Sequence, residues 1–591
     1  MAQPRAVGLV DDARWGNLAP RGWVCVGLAV VLAVALGLRL WGLKQGLPFA
    51  YNTDEETLYL PRAVHMFGHG LNPGYFDNPP GFTYALYALL TVLMGDEATR
   101  TFSSDPTSVY LIARCFVAVL GTATVWLVYA AGARLLRREV GLLAAAIMAV
   151  AFLPVFYAHL ALNDVPTLLP LTLALFGAAG VARKGRLSDY ATAGVGVGLA
   201  CATKYTGGII VVSVIAAGFL HLRESSDRRL VFGGLAAAGA LALLAFVVAN
   251  PYSVLAFNEF WAGISHQSAL SSEAQGKLGA PRTGGFVYYM WTLTWGFGWL
   301  PGVAAVGGAL TIWRNNKTAA LLLVPTAVLF IVFMSLETRY FGRWMLPIFP
   351  ILCLLAAYFG LEFAARIGEV LGAWHVRLGR ALVVGVVALG LCAQGLLYST
   401  HVDTVLSRPF TAEQARRWMV SHVPVGSRVV IEPVVPNAWL EYLPGPERAD
   451  GKRIRWYKLP VLRQRDITGA GIVQRSGPQL SIEDYERTLS PALIPYYERL
   501  GYCWVLTGST QSGRAFSDPL AVPGAVAYYR ALASAGVVVY HVTPYGRGRR
   551  PIPFNFDWSF DFYPLAYRAP GPEITIYRLT GGGCRSPISR G

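Results

Sequence analysis

Long apolar runs alternate with short polar turns from about residue 22 to residue 398. A helix of roughly 20 apolar residues crosses the hydrocarbon of a bilayer. The pattern predicts spans at about 22–43, 109–135, 140–158, 164–182, 190–205, 207–222, 230–249, 288–313, 318–335, 344–365 and 381–398, about 11 in all. Phe82 to Met94 is also apolar but falls short of that length, and reads as a re-entrant or interfacial helix.

Basic residues sort the turns. Arg5, Arg14 and Arg21 precede the first span. Arg134/Arg137/Arg138, Arg183/Lys184/Arg186, Arg223/Arg228/Arg229, Arg314/Lys317 and Arg366 follow at alternate turns. The positive-inside bias puts these clusters and the N-terminus in the cytoplasm. Loop 44–80 is then outside, provided 82–94 does not cross. The reading is a multi-pass protein of the plasma membrane.

From about residue 400 the pattern changes. Charged and Pro-rich segments appear and no run is long enough to span. Thr411 to Val420 predicts an amphipathic helix, with Thr411 as N-cap and Gln414 at the capping-box position. Arg428 to Val435, Tyr502 to Thr507, Val537 to Val542 and Ile574 to Tyr577 read as short strands. The division expected is a cytoplasmic N-terminus (1–21), a transmembrane part (22–399) and an α/β unit (400–591), extracytoplasmic by parity. Cys503 and Cys584 lie in that unit, where a disulfide is chemically permitted.

Composition agrees with this picture. The 591 residues are 54% hydrophobic and only 14% charged, with mean hydropathy +0.44; soluble domains carry about 25% charged residues. The net charge of +16 is accounted for by loop Arg and Lys facing anionic membrane lipid, so no nucleic-acid partner is expected. Seven Cys occur without a CxxC or a Cys/His cluster, which argues against a structural zinc site.

Candidate chemistry gathers at the outer turns. Residues 51–80 hold Asp54, Glu55, Glu56, Asp77, Asn78, His65 and His69. Later outer turns bring His159, Asn163 and Asp164, then Lys204 and Tyr205, then His266, then Arg339, Tyr340 and Arg343. Ionisable groups at membrane depth are costly and mark function by default. Acids serve as a general base or as metal ligands, and cations hold a phosphate. A sugar linked to a lipid phosphate needs both, and in-line attack by a hydroxyl needs one essential base and inverts the anomeric centre. His65 and His69 have zinc-compatible spacing but no third ligand nearby, and read as structural.

The segments TDEETLYLPRAVHMFGHG, FDNPPGFTYALYALL, NDVPTLLPLTLALFG, GLACATKYTGG and ETRYFGRWMLPIFP, in that order, resemble the GT-C superfamily of membrane glycosyltransferases. The nearest group is the protein mannosyltransferase-like and aminoarabinose transferase-like one, over about 20–400. The resemblance implies a polyprenyl-phosphate-sugar donor and inverting transfer outside the cytoplasm to a glycan, lipid or protein acceptor. It implies a catalytic acid at Asp54 or, one register on, Glu55. It gives a second acid at Asp77 and matches Lys204, Arg339 and Tyr340; with the neighbouring Tyr205 and Arg343 these are the candidate donor-phosphate groups. His266 falls where some relatives have a metal-binding histidine, so a divalent metal is a candidate cofactor. Asn78 stands where aminoarabinose transferases have a phosphate-binding lysine, a departure that bears on the donor. The competing readings are a transporter or lipid flippase, and a non-catalytic GT-C-like assembly subunit. Transporters are expected to show repeats and midplane charge, and neither is apparent.

Overall fold

The computed structural model describes residues 21–225, 227–272, 278–279, 283–339, 341–373, 379–436, 438–441, 455–469, 482–555 and 563–585. The first helix, α1 (Arg21–Leu40), leads into the predicted outer loop. That loop folds into α2 (Thr53–Thr57), α3 (Tyr59–His65), α4 (Gly81–Leu93) and α5 (Glu97–Ser104). The bundle continues with α6 (Thr107–Leu135), α7 (Arg138–Val150), α8 (Phe152–Tyr157), α9 (Leu168–Lys184), α10 (Leu187–Thr203), α11 (Val211–Glu224) and α12 (Arg228–Ala249). After α13 (Tyr252–Leu255) and α14 (Phe257–Ser272) come α15 (Gly285–Leu293), α16 (Trp299–Asn315), α17 (Lys317–Leu336), α18 (Phe349–Ala373), α19 (Arg380–Leu406) and α20 (Thr411–His422).

Eight helices among the described residues have 18 or more residues and are apolar enough to cross a membrane. The expected crossings 140–158, 164–182 and 190–205 hold α7, α9 and α10, of 13, 17 and 17 residues. At 1.5 Å per residue these are about 20 and 26 Å long, so α9 and α10 stand at the lower end of the length that crosses, about 17 residues, and α7 is shorter. Pro154 explains the first break: it has no N–H to give the Val150 carbonyl. The Ser399 hydroxyl of α19 donates to that carbonyl instead, at 3.0 Å. The 13-residue α4 is likewise too short to cross, as the sequence suggests.

Small residues bring α9, α10 and α12 together. A Cβ on Gly194 or on Gly198, one turn apart in α10, would stand 2.2 Å from the carbonyl oxygen of Ala238 or of Ala242 in α12. Backbones in such contact gain dispersion energy that the hydrophobic effect cannot supply in lipid. Large apolar side chains such as Leu243, Val248, Val303 and Leu310 face outward, as lipid-facing surfaces do. The protein is a multi-pass membrane protein.

The C-terminal unit is built on a five-stranded mixed sheet of order β2-β1-β3-β5-β4. Its strands are β1 (Arg428–Ile431), β2 (Tyr457–Lys458), β3 (Trp504–Gly508), β4 (Gly536–Val542) and β5 (Ile574–Leu579). The pairs β1–β2 and β1–β3 are parallel, and β3–β5 and β4–β5 antiparallel. Cys503 and Cys584 form a disulfide. The predicted cap of α20 is corrected. Phe410 occupies the N-cap with no side-chain bond, Thr411 is the first helical residue, and Gln414 donates to the Pro409 carbonyl. The helix starts by packing Phe410 into the core of the C-terminal unit, which leaves the cap position without a polar side chain.

Glu432, fully buried after β1, accepts from the Tyr529 hydroxyl and the Gly508 N–H, both at 2.6 Å. Burial outweighs these bonds and, with nearby Glu486, pushes its carboxyl up to about 8. A folded-state pKa above the unfolded one gives stability that is complete below about 4.3 and lost as pH rises through 8. Thermal melts between pH 5 and 9 are expected to fall, and Glu432→Gln to flatten that slope. An unchanged slope in the variant would remove Glu432 as its source.

Candidate active site

The Asn52 side chain starts α2 by accepting from the N–H groups of Asp54 (3.1 Å) and Glu55 (3.2 Å). Successive helical positions point about 100° apart, so the two neighbouring acids part company. Glu55 turns inward and is fully buried. Arg114, inside the 29-residue α6, meets it bidentately: Nε donates to Oε1 at 2.8 Å and Nη2 to Oε2 at 2.7 Å. The Ala161 N–H also donates to Oε1 at 2.8 Å. Arg114 Nη1 reaches back to the carbonyls of Leu43 and Gln45.

Asp54 turns the other way and is about one-third exposed (35%), where it pairs with Arg343. Arg343 lies on the 3-10 turn Gly342–Ile348, with its guanidinium 5.9 Å from the Tyr157 ring and 5.3 Å from the Phe341 ring. A second acid–cation pair, buried Asp164 with Lys204, stands beside the first. Lys204 sits in extended backbone between α10 and the 3-10 turn Tyr205–Ile210. Asn163 donates to the Thr203 carbonyl at 2.8 Å and holds this turn against the 158–167 connection. The pairs are close enough that Asp54 and Arg343 act electrostatically on Lys204. Tyr59, nearly buried, feels Asp54, Asp164 and Arg343 together.

The second acid lies further along the loop. Asp77 Oδ2 and His266 Nδ1 of α14 are 2.9 Å apart, with the histidine nearly half exposed and the aspartate largely covered. Asn78 donates to the Tyr75 hydroxyl at 2.9 Å. The Arg62 guanidinium lies 4.5 Å over the Tyr75 ring, and burial pushes the Tyr75 phenol up. The Tyr205 hydroxyl donates to the Phe76 carbonyl at 2.9 Å, so it ties this loop to the lysine turn. Arg339 stacks near Phe341, and its N–H bonds to Ser271 at the end of α14. Tyr340 lies outside the described residues.

As a resident metal centre, the Asp77–His266 pair does not fit. It supplies two donors that bond to each other, and among the described residues no group of three or more His, Cys, Asp or Glu converges. His65 and His69 stack ring on ring at 4.2 Å. His159 is buried, its nitrogens facing the Val155 and Trp41 carbonyls. Arg114, Tyr59, Tyr75 and Tyr157 were not singled out in the sequence. Arg114 carries a usable signal, a charge two turns into a long apolar helix; the tyrosines carry none.

Residues 77–252 match the family described as dolichyl-phosphate-mannose-protein mannosyltransferase. No curated protein matches the chain in sequence. Among solved structures, aminoarabinose transferase ArnT from Cupriavidus metallidurans, bound to undecaprenyl phosphate, is similar at 15% identity. It covers 96% of this chain and 100% of its own, with a TM-score of 0.52. The archaeal oligosaccharyltransferase AglB from Archaeoglobus fulgidus is 12% identical over 87% of this chain and 72% of its own, with a TM-score of 0.48. Residues 77–252 are thus similar to the mannosyltransferase family, and the chain shares the fold of the ArnT structure.

Proposed function

We propose that the protein transfers a sugar from a polyprenyl-phosphate donor to an acceptor hydroxyl on the outer face of the membrane, with inversion. The observation that carries this is the adjacency of two acid–cation pairs, Asp54–Arg343 and Asp164–Lys204, around Tyr59. The matched family and the undecaprenyl phosphate held by the similar ArnT structure support it. In the free protein the pairs neutralise each other. A phosphate entering between Arg343 and Lys204 draws both cations to itself, and Asp54 is released to act as base. The acceptor oxygen then forms its bond to the anomeric carbon while the bond from that carbon to the phosphate oxygen breaks. The electron pair leaves on the lipid phosphate, stabilised by Arg343 and Lys204. The hydroxyl proton passes to Asp54.

Within this scheme Glu55 is not the base, because both its oxygens are engaged by Arg114 in a buried pair. Arg339, Tyr205 and Tyr340 belong to the phosphate side. Asp77, His266 and Asn78 border the donor sugar or acceptor, with Asn163 shaping the Lys204 turn. The N-terminus is cytoplasmic and the C-terminal unit extracytoplasmic in this reading.

The test is undecaprenyl phosphate binding to purified protein. Lys204→Gln is expected to weaken it about tenfold or more, as loss of a desolvated charge-assisted contact does. Glu97→Gln, on the exposed surface, serves as control. Equal binding by Lys204→Gln and wild type would sink the phosphate assignment. Comparing lipid-linked sugars and surface glycans with and without the gene tests transfer itself; no difference would favour a transporter or a non-catalytic subunit.

A further inference from the structure

The segment joining α1 to α2 does not lie free above the membrane. It runs along the junction of α19 and α20. Gly42, at φ +84°, packs so closely on α19 that a Cβ there would stand 3.0 Å from Leu406 Cβ and 3.1 Å from the Asp403 carbonyl oxygen. Seven residues on, Phe49 is buried in the core of the C-terminal unit, together with Phe410, Met419, Val430 and Trp439. The Arg416 guanidinium of α20 lies 5.0 Å over its ring and donates through Nε to the Trp439 carbonyl at 2.8 Å. Tyr51 stacks on Phe410 with ring centroids 4.3 Å apart and planes 9° apart.

Phe410 is itself wedged. Thr411 N–H bonds to the Pro570 carbonyl, and a Cβ on Gly571 (φ +100°) would stand 2.7 Å from the Phe410 ring. The next residue after Tyr51 is Asn52, the cap of α2, and Asp54 follows in the first turn. On the far side Glu55 is locked to Arg114, while Glu56 acts electrostatically on Lys458 of β2, within the C-terminal unit. Asp54 is therefore fixed from the C-terminal unit on one side and from α6 on the other.

We infer that the C-terminal unit is a positioning part of the transfer site. By gripping Phe49 and Tyr51 it sets the place of Asp54, and so governs turnover and not donor affinity. This rests on the proposed role of Asp54. A shift of about 1 Å at a reacting group is enough to cost up to 100-fold in rate, and Tyr51 stands three positions before the acid.

The test uses the full chain with Tyr51→Ala, Tyr51→Phe, Phe410→Ala and the double alanine variant. Three readouts are taken: hydrogen exchange of residues 52–58, undecaprenyl phosphate affinity, and transferred sugar after complementation of a strain lacking the gene. Tyr51→Ala is expected to lower protection of 52–58 and product about tenfold each, with affinity within about twofold of wild type. Tyr51→Phe keeps the stacked ring and behaves as wild type. Phe410→Ala reproduces Tyr51→Ala, and the double variant is no worse than either single one, because both remove one contact. Should Tyr51→Ala not fold, Tyr51→Leu retains apolar volume without the stack and carries the same expectation. Wild-type exchange and product in the alanine variants overturns the proposal, as does an affinity loss matching the product loss. If Asp54→Asn retains transfer, the catalytic reading fails while exchange still reads the grip. If Asp54→Asn is inactive and Tyr51→Ala is not, the grip alone fails.

Discussion

Asp54→Asn is expected to abolish sugar transfer, by roughly 100-fold to 10,000-fold, the range that a positioned general base contributes. The variant should fold normally. Asparagine has the same shape, the α2 cap is made by the Asn52 side chain to backbone N–H groups, and Asp54 is partly exposed. It should also bind undecaprenyl phosphate at least as well as wild type, since Arg343 then loses the carboxylate that competes with the phosphate. Product analysis by mass spectrometry and a binding titration on the same preparation give both results. Normal product from Asp54→Asn would end its assignment as base. Lost product together with lost binding would move Asp54 from the chemical step to donor recognition.

Arg114→Ala is expected to be the most destabilising single change near the site, by about 3–5 kcal/mol. Removing one partner of a buried ion pair strands the other charge. Here Glu55 has no exposed surface and its remaining partner is one backbone N–H, from Ala161. The carbonyls of Leu43 and Gln45 lose their donor as well. A melting curve in detergent should shift down markedly, and a Glu55→Gln/Arg114→Met double variant should recover part of the loss by removing both charges. A wild-type melt for Arg114→Ala would show that water or another cation replaces the guanidinium. The arginine also bears on activity, because Glu55 and Asp54 share one turn of α2.

The two acids show how far the sequence reaches. Asp54 and Glu55 are adjacent in the DEE run, and chemistry and resemblance admit either as base. Which one lies open depends on where α2 docks, and that is set by Arg114, 59 residues further along the chain from Glu55. Nothing local at residue 54 or 55 records it. Asp164 and Lys204 were legible as costly charges at two turns, but their pairing follows from the packing of α9 on α10 through Gly177 and Gly196. Hydropathy does not register that Pro154 ends α7 or that the 158–167 connection leaves the helix. The α20 cap was misread for a related reason. Thr411 has the chemistry of a cap, but burial of Phe410 sets the helix start.

By itself, the sequence determined the membrane class, the order of helices and polar turns, four of the five short C-terminal strands, and the set of charges from which the site is drawn. Those follow from hydropathy and residue type, which are local properties. Tertiary structure decided which acid pairs with which cation, that Glu55 is buried and Asp54 open, and that Phe49 and Tyr51 belong to the core of a unit that begins some 350 residues later. Pairing and burial depend on contacts between distant segments, and a single chain read in order holds no local trace of them.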